Sequence, residues 1–119
     1  MKKEDKKLLE AIVAGMQEKK AKRVVTVDMT KLNAPCQYFV ICEGDSNVHV
    51  SAIAYEVKDY VRKHAAEKPF AADGFENSEW IALDYGSVIV HLFLRPTREF
   101  YDIEHLWADA EIKKYADIA

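Results

Sequence analysis

A small mixed β-sheet with helices packed on it, of the α/β or α+β class, is the fold the sequence predicts. Three observations carry it. The apolar periodicity switches along the chain between helical and strand spacing, giving the order αββα(β)ββα. The first two strands are joined by a loop with no crossover helix, which argues against purely parallel winding. Two strand-like runs meet at Gly86-Ser87, a good β-hairpin signal.

The first helix is expected from about Lys3 to Lys20. Leu8, Leu9, Ile12, Val13 and Met16 recur at three- and four-residue spacing, with lysines and acids opposite. Lys19, Lys20, Lys22 and Arg23 crowd its end, as suits the negative end of a helix dipole. Val24 to Asp28 reads as a strand, and Lys31 to Pro35 as a connection. Tyr38-Phe39-Val40-Ile41-Cys42 is a near-continuous apolar run, the pattern of a central strand buried on both faces.

A second helix runs to about Ala66 with Ser46 or Asn47 as N-cap, its stripe being Val50, Ile53, Ala54, Val57, Tyr60 and Val61. The looser stretch from Glu67 to Ser78 has room for a short strand around Phe70-Ala71-Ala72. The hairpin follows, Trp80–Tyr85 against Val88–Leu94. A turn at Tyr85-Gly86 would slide the partners and keep the same two faces; with Gly86-Ser87 as the loop, Leu83 faces Val90 and Ile81 faces Leu92 on an aliphatic side. On the other side Asp84 lies opposite Ile89, Ala82 opposite His91 and Trp80 opposite Phe93. Thr97 can cap a last helix starting at Arg98, with Phe100, Ile103, Leu106 and Trp107 apolar and Phe100 and Ile103 assigned to the core. The tail from Ala108 to Ala119 continues as helix or frays.

The chain of 119 residues is one ordinary domain, 1–119, and half its residues are apolar, enough to bury a core without staples. Its net charge of −3 is unevenly spread: residues 1–23 carry a balance of +4, 24–95 of −4 and 96–119 of −3. An acidic body offers no broad basic stripe for a phosphate backbone, so a basic protein is a better partner than nucleic acid. Two cysteines make no disulfide framework, and Met1 to Lys7 leads into an amphipathic run, not an apolar leader. No apolar run approaches the roughly 20 residues of a membrane span. A soluble cytoplasmic chain with reduced thiols is expected.

Gly44-Asp45-Ser46, between a strand and a helix, resembles the phosphate-binding loop of nucleotidyltransferases, and a nucleotide-binding or nucleotidyltransferase role is the alternative. Such enzymes need two carboxylates at i and i+2 on one strand to hold metal ions. Asp28 is followed at i+2 by Thr30, and Asp84 by Gly86, and an N-cap alone accounts for Ser46. Cys36 and Cys42 fit no zinc spacing, and His49, His64, His91 and His105 form no H-x-x-x-H pair. Both cysteines read as small core hydrophobes. The face with Trp80, Asp84, His91 and Phe93 survives. Either a second helix layer covers it, with Asp84 and His91 satisfied by hydrogen bonds, or it is a docking surface of the aromatic-anchored kind.

Tyr38-Phe39-Val40-Ile41 with Gly44 and Ser46, the run Glu79 to Phe93, and Arg98-x-Phe100-Tyr101-x-Ile103-Glu104-x-Leu106-Trp107 together resemble the ribosomal silencing factor (Iojap) family. The resemblance spans roughly Leu8 to Ala110. Gln37, where the family commonly has an acid, and Asp73-Gly74-Phe75-Glu76 are departures confined to loops. The resemblance implies a fold related to nucleotidyltransferases but without their active site, and a non-enzymatic translation regulator with no cofactor. It implies binding to the large-subunit ribosomal protein L fourteen, steric blocking of subunit joining when nutrients are short, and a homodimer when free. The family's characteristic surface maps to Trp80, Asp84, His91, Arg98, Tyr101, Glu104, Leu106 and Trp107.

Overall fold

The apolar run after Gln37 forms β2, Tyr38–Gly44, with every residue buried, and the other elements are laid around it. The computed structural model describes residues 2–107 and 109–118. Helix α1 is Lys3–Glu18 and strand β1 is Lys22–Asp28; helix α2 is Asn47–Ala65 and strand β3 is Ala71–Asp73. Strands β4, Trp80–Asp84, and β5, Val88–Leu94, form the hairpin. Helix α3, Arg95–Tyr101, a 3₁₀ turn at Ile103–His105, and strand β6, Glu111–Lys114, complete the order.

The six strands lie in the order β3-β4-β5-β2-β1-β6. β2 and β5 are parallel, and every other neighbouring pair is antiparallel, so the sheet is mixed as expected. The parallel pair is possible because α2 and the β3–β4 segment supply a long connection between its members.

One face of the sheet carries Val40, Cys42, Ile81, Leu83, Val90 and Leu92, and it packs against Leu8, Ile12 and Met16 of α1 and Ile53, Val57 and Val61 of α2. The opposite face carries Val25, Val27, Phe39, Ile41 and Phe93, with Ile103 from the 3₁₀ turn set against it. Alternation along β2 sends successive side chains to these two cores, which is why its pattern is continuous rather than period-two. Burial of these apolar side chains, at roughly 1.5–3 kcal/mol for each fully buried Val, Leu, Ile, Phe or Met, is the main stabilising contribution, and most of it lies on the helix-covered face.

Three expectations from the sequence need correction. Helix α3 begins at Arg95, not Arg98: Pro96 occupies its first turn, where a missing N–H costs nothing, and Thr97 is inside the helix. The helix stops at Tyr101 because Asp102 adopts the left-handed conformation (φ 45°), so Arg98 to Trp107 is two short elements at a corner. The segment after Ala110 is neither helix nor frayed end: Glu111–Lys114 pairs with β1, Val27 opposite Ile112. Ala108 and Ala119 lie outside the described residues.

Candidate docking face

The hairpin register sets the site. Trp80 pairs with Phe93, Ala82 with His91 and Asp84 with Ile89, the register expected from a Gly86-Ser87 loop. The Tyr85 N–H donates to the Val88 carbonyl at 2.9 Å, closing that loop, and Gly86 at φ 86° supplies the backbone conformation it requires. The Asp84 carboxylate accepts the Gly86 N–H at 2.8 Å. Asp84 is therefore committed to its own turn.

Trp80 sits at the start of β4 with its ring over the far face of the sheet. Its ring centroid is 5.0 Å from Phe93 and 4.9 Å from Tyr101. Its indole N–H donates to His91 Nδ1 at 3.1 Å. That bond assigns the His91 proton to Nε2, which is buried without a partner among the described residues. Burial pushes the His91 pKa down to about 4, so the ring is neutral at physiological pH. His91 packs edge-on against Phe39 (4.6 Å), and Phe39 against Trp107 (5.5 Å). An aromatic chain Trp80–His91–Phe39–Trp107 thus crosses strands β4, β5 and β2, with both tryptophans half-buried at its ends.

Helix α3 and the 3₁₀ turn place further apolar groups around this chain. Phe100 is 80% exposed, Leu106 63% and Tyr101 50%. Such large apolar side chains in water, beside two half-buried tryptophans, make this face the candidate docking surface. Phe100, assigned to the core from helical spacing, is among them. The spacing misleads because the periodicity of Arg98–Trp107 is interrupted at Asp102.

Arg98 and Glu104, expected on this surface, are inside: 2% and 7% exposed. Arg98 Nε and Nη2 donate to the two Glu104 carboxylate oxygens at 2.9 and 3.0 Å, a bidentate pair. Its Nη1 donates to the Arg23 carbonyl at 2.7 Å and to Glu43 Oε1 at 3.3 Å. Glu43, at the end of β2, also accepts from Arg23 Nη1 at 3.1 Å and from Arg95 Nε at 2.9 Å. Hydrogen bonds from Arg98 hold the Glu104 carboxyl below the usual carboxylate range, against the opposing effect of burial. His91 is likewise internal, bracing Trp80 from beneath. Trp80, Tyr101, Leu106 and Trp107 are the expected surface residues that reach solvent at this face, together with Asp84 at its turn. Glu43 is a functional residue with a faint sequence signal, a lone carboxylate near the end of an otherwise apolar strand.

The Gly44-Asp45-Ser46 loop works as a helix cap. Ser46 Oγ accepts the His49 N–H at 3.1 Å, and the Asp45 N–H donates to His49 Nδ1 at 2.9 Å. His49 Nε2 is 2.6 Å from the Lys19 carbonyl, and Asp45 pairs with Lys22 at 3.1 Å. Asp28 receives the Thr30 N–H and hydroxyl, so both candidate metal carboxylates cap turns, on strands that β5 and β2 keep apart. Among the described residues no group of three or more His, Cys, Asp or Glu side chains is placed to hold a metal ion. Both cysteines are buried and unpaired with each other, and burial pushes each thiol pKa up, which keeps them unreactive. No described helix is long and apolar enough to cross a membrane.

The family model described as "Ribosomal silencing factor during starvation" matches residues 2–119. The chain belongs to the ribosomal silencing factor family. It is 34% identical over 107 residues to the ribosomal silencing factor of Bacillus subtilis, covering 90% of each chain. It is 30% identical over 100 residues to the chloroplastic Iojap protein of Zea mays, covering 84% of this chain and 43% of that one. A solved structure of a Chromobacterium violaceum protein superposes with a TM-score of 0.82 at 29% identity, covering 96% of this chain and 92% of that one. The family name describes a regulatory role at the ribosome rather than a catalytic one. The sheet order, the hairpin and the helical corner described above are therefore those of a ribosomal silencing factor.

Proposed function

We propose that this ribosomal silencing factor docks through the Trp80–Trp107 face onto ribosomal protein L fourteen of the large subunit. Bound there, it blocks the small subunit from joining and so represses translation when nutrients are short, without catalysing a reaction. The observation that carries the reading is the exposed trio Phe100, Tyr101 and Leu106 set around two half-buried tryptophans. A mouse relative, 30% identical over 101 residues, is named for mitochondrial assembly of the large ribosomal subunit, which supports that subunit as the target.

Charge supports a basic protein partner. Residues 96–119 have a balance of −3, and Glu99 and Asp102 beside the apolar trio are more than half exposed. An acidic rim around an apolar centre steers a basic partner and fixes register, while the buried anchors supply affinity. The protein acts in the cytoplasm under this reading, as a homodimer when not on the subunit.

Trp80→Ala and Tyr101→Ala are expected to weaken binding to isolated large subunits by about 2 kcal/mol, roughly thirtyfold, as loss of a central anchor does. Circular dichroism should show both variants folded, since neither side chain belongs to the helix-covered core. Wild-type affinity in both, at equal folding, would remove this face from the docking role.

A further inference from the structure

We propose that Arg98 is a positioning residue: it locks α3 to the 3₁₀ turn, so that Phe100 and Tyr101 on one side of the corner and Leu106 on the other meet the partner as one preformed surface. The inference rests on the docking role proposed above.

The corner needs such a lock. Asp102 breaks the helix in the left-handed conformation, with Phe100 and Tyr101 before the break and Leu106 and Trp107 after it. Main-chain bonds at the corner run from the Asp102 N–H to the Arg98 carbonyl (2.8 Å), from His105 to Asp102 (3.2 Å) and from Leu106 to Ile103 (3.2 Å). Each involves Asp102 itself or stays within the turn. Among the described residues, the bond pair that ties the body of α3 to the 3₁₀ turn across Asp102 is the bidentate one from Arg98 to Glu104.

The same guanidinium anchors the corner to the sheet. Its Nη1 reaches Glu43 at the end of β2 and the main-chain carbonyl of Arg23 in β1. Arg23 has φ 50° and lies where the β1–β2 register shifts between Lys22 and Val25. A bulge there turns one carbonyl out of the ladder, and Arg98 takes it up. One planar group with donors in a rigid fork thus joins four elements, which a lysine ammonium cannot do. A surface held in its bound arrangement loses less freedom on binding, so the lock should appear in affinity.

The test is a double-mutant cycle on binding to isolated large subunits, using Arg98→Lys, Leu106→Ala and the pair. If Arg98 acts by placing Leu106 relative to Phe100 and Tyr101, Arg98→Lys should cost about tenfold in the wild-type background and under about threefold once Leu106 is gone. The same fold-loss in both backgrounds would overturn the positioning role, because a merely structural effect is blind to Leu106. Glu104→Gln, which keeps shape and one acceptor, run through the same cycle gives the readout should Arg98→Lys unfold. Undiminished binding by Leu106→Ala and Phe100→Ala themselves would overturn the docking role and this inference with it; weakened binding with strict additivity overturns this inference alone.

Discussion

Arg98→Ala is expected to lower the unfolding free energy by about 3–5 kcal/mol, as much as truncating a large core side chain. The cause is not the worth of an ion pair but what its removal leaves behind. The side chains of Glu104 and Glu43 are only 8% and 4% exposed. Without the guanidinium, Glu104 loses a bidentate partner, and the Arg23 carbonyl loses a donor. Glu43 is less affected, since Arg23 and Arg95 still reach it. A double variant, Arg98→Met with Glu104→Gln, should recover part of the loss because no buried carboxylate is left without a cation. Urea unfolding at neutral pH followed by tryptophan fluorescence measures both. A loss below about 1 kcal/mol for Arg98→Ala would mean that water replaces the guanidinium at the corner.

The second large effect is a pH dependence centred on His91. Its pKa is pushed from 6.5 in the unfolded chain down to about 4 in the folded one by burial. Between those values the unfolded chain binds more protons, so stability is at its full value above about 6.5 and falls as the pH drops toward 4. A shift of that size corresponds to about 3 kcal/mol across the window. Protonation would also convert Nδ1 from the acceptor of the Trp80 indole N–H into a donor, breaking the brace beneath the docking face. His91→Phe keeps an aromatic filler against Phe39 and removes the titration. The wild-type minus His91→Phe difference in unfolding free energy should therefore slope upward between pH 4 and 6.5 and be flat above. A flat difference throughout would show that His91 charges without penalty where it sits.

How much of this was legible in the sequence depended on whether the signal was local. The two hairpin faces could be written residue by residue from strand alternation, and of the two registers a turn at Gly86-Ser87 or at Tyr85-Gly86 allows, the structure has the first. The Ser46 cap and the apolar stripes of α1 and α2 were legible for the same reason. What was missed depends on partners distant in the chain. Arg98 and Glu104 carry charges and so read as surface; what buries them is Glu43, 55 residues away, and the Arg23 carbonyl, 75 away. Strand β6 has one apolar residue, Ile112, among three charged ones, and becomes a strand only because β1 offers it an edge. The break at Asp102 is a left-handed residue that is not glycine, for which sequence gives little warning, and with it went the outward placement of Phe100.

The site shifted accordingly. Residues read as one docking surface divide into those that reach solvent, Trp80, Tyr101, Leu106 and Trp107 with Phe100 added, and those buried beneath them, Arg98, Glu104 and His91. The face owes its shape to buried polar groups and its stickiness to exposed apolar ones. Separating the two roles explains why so short a segment mixes arginine, acids and aromatics.

Sedimentation of the protein with separated large and small ribosomal subunits tests the central claim most directly. Silencing by blocked joining predicts that the protein migrates with the large subunit and that, as it is added, joined ribosomes give way to free subunits. Trp80→Ala should fail at both. Migration with joined ribosomes, leaving their amount unchanged, would contradict the account.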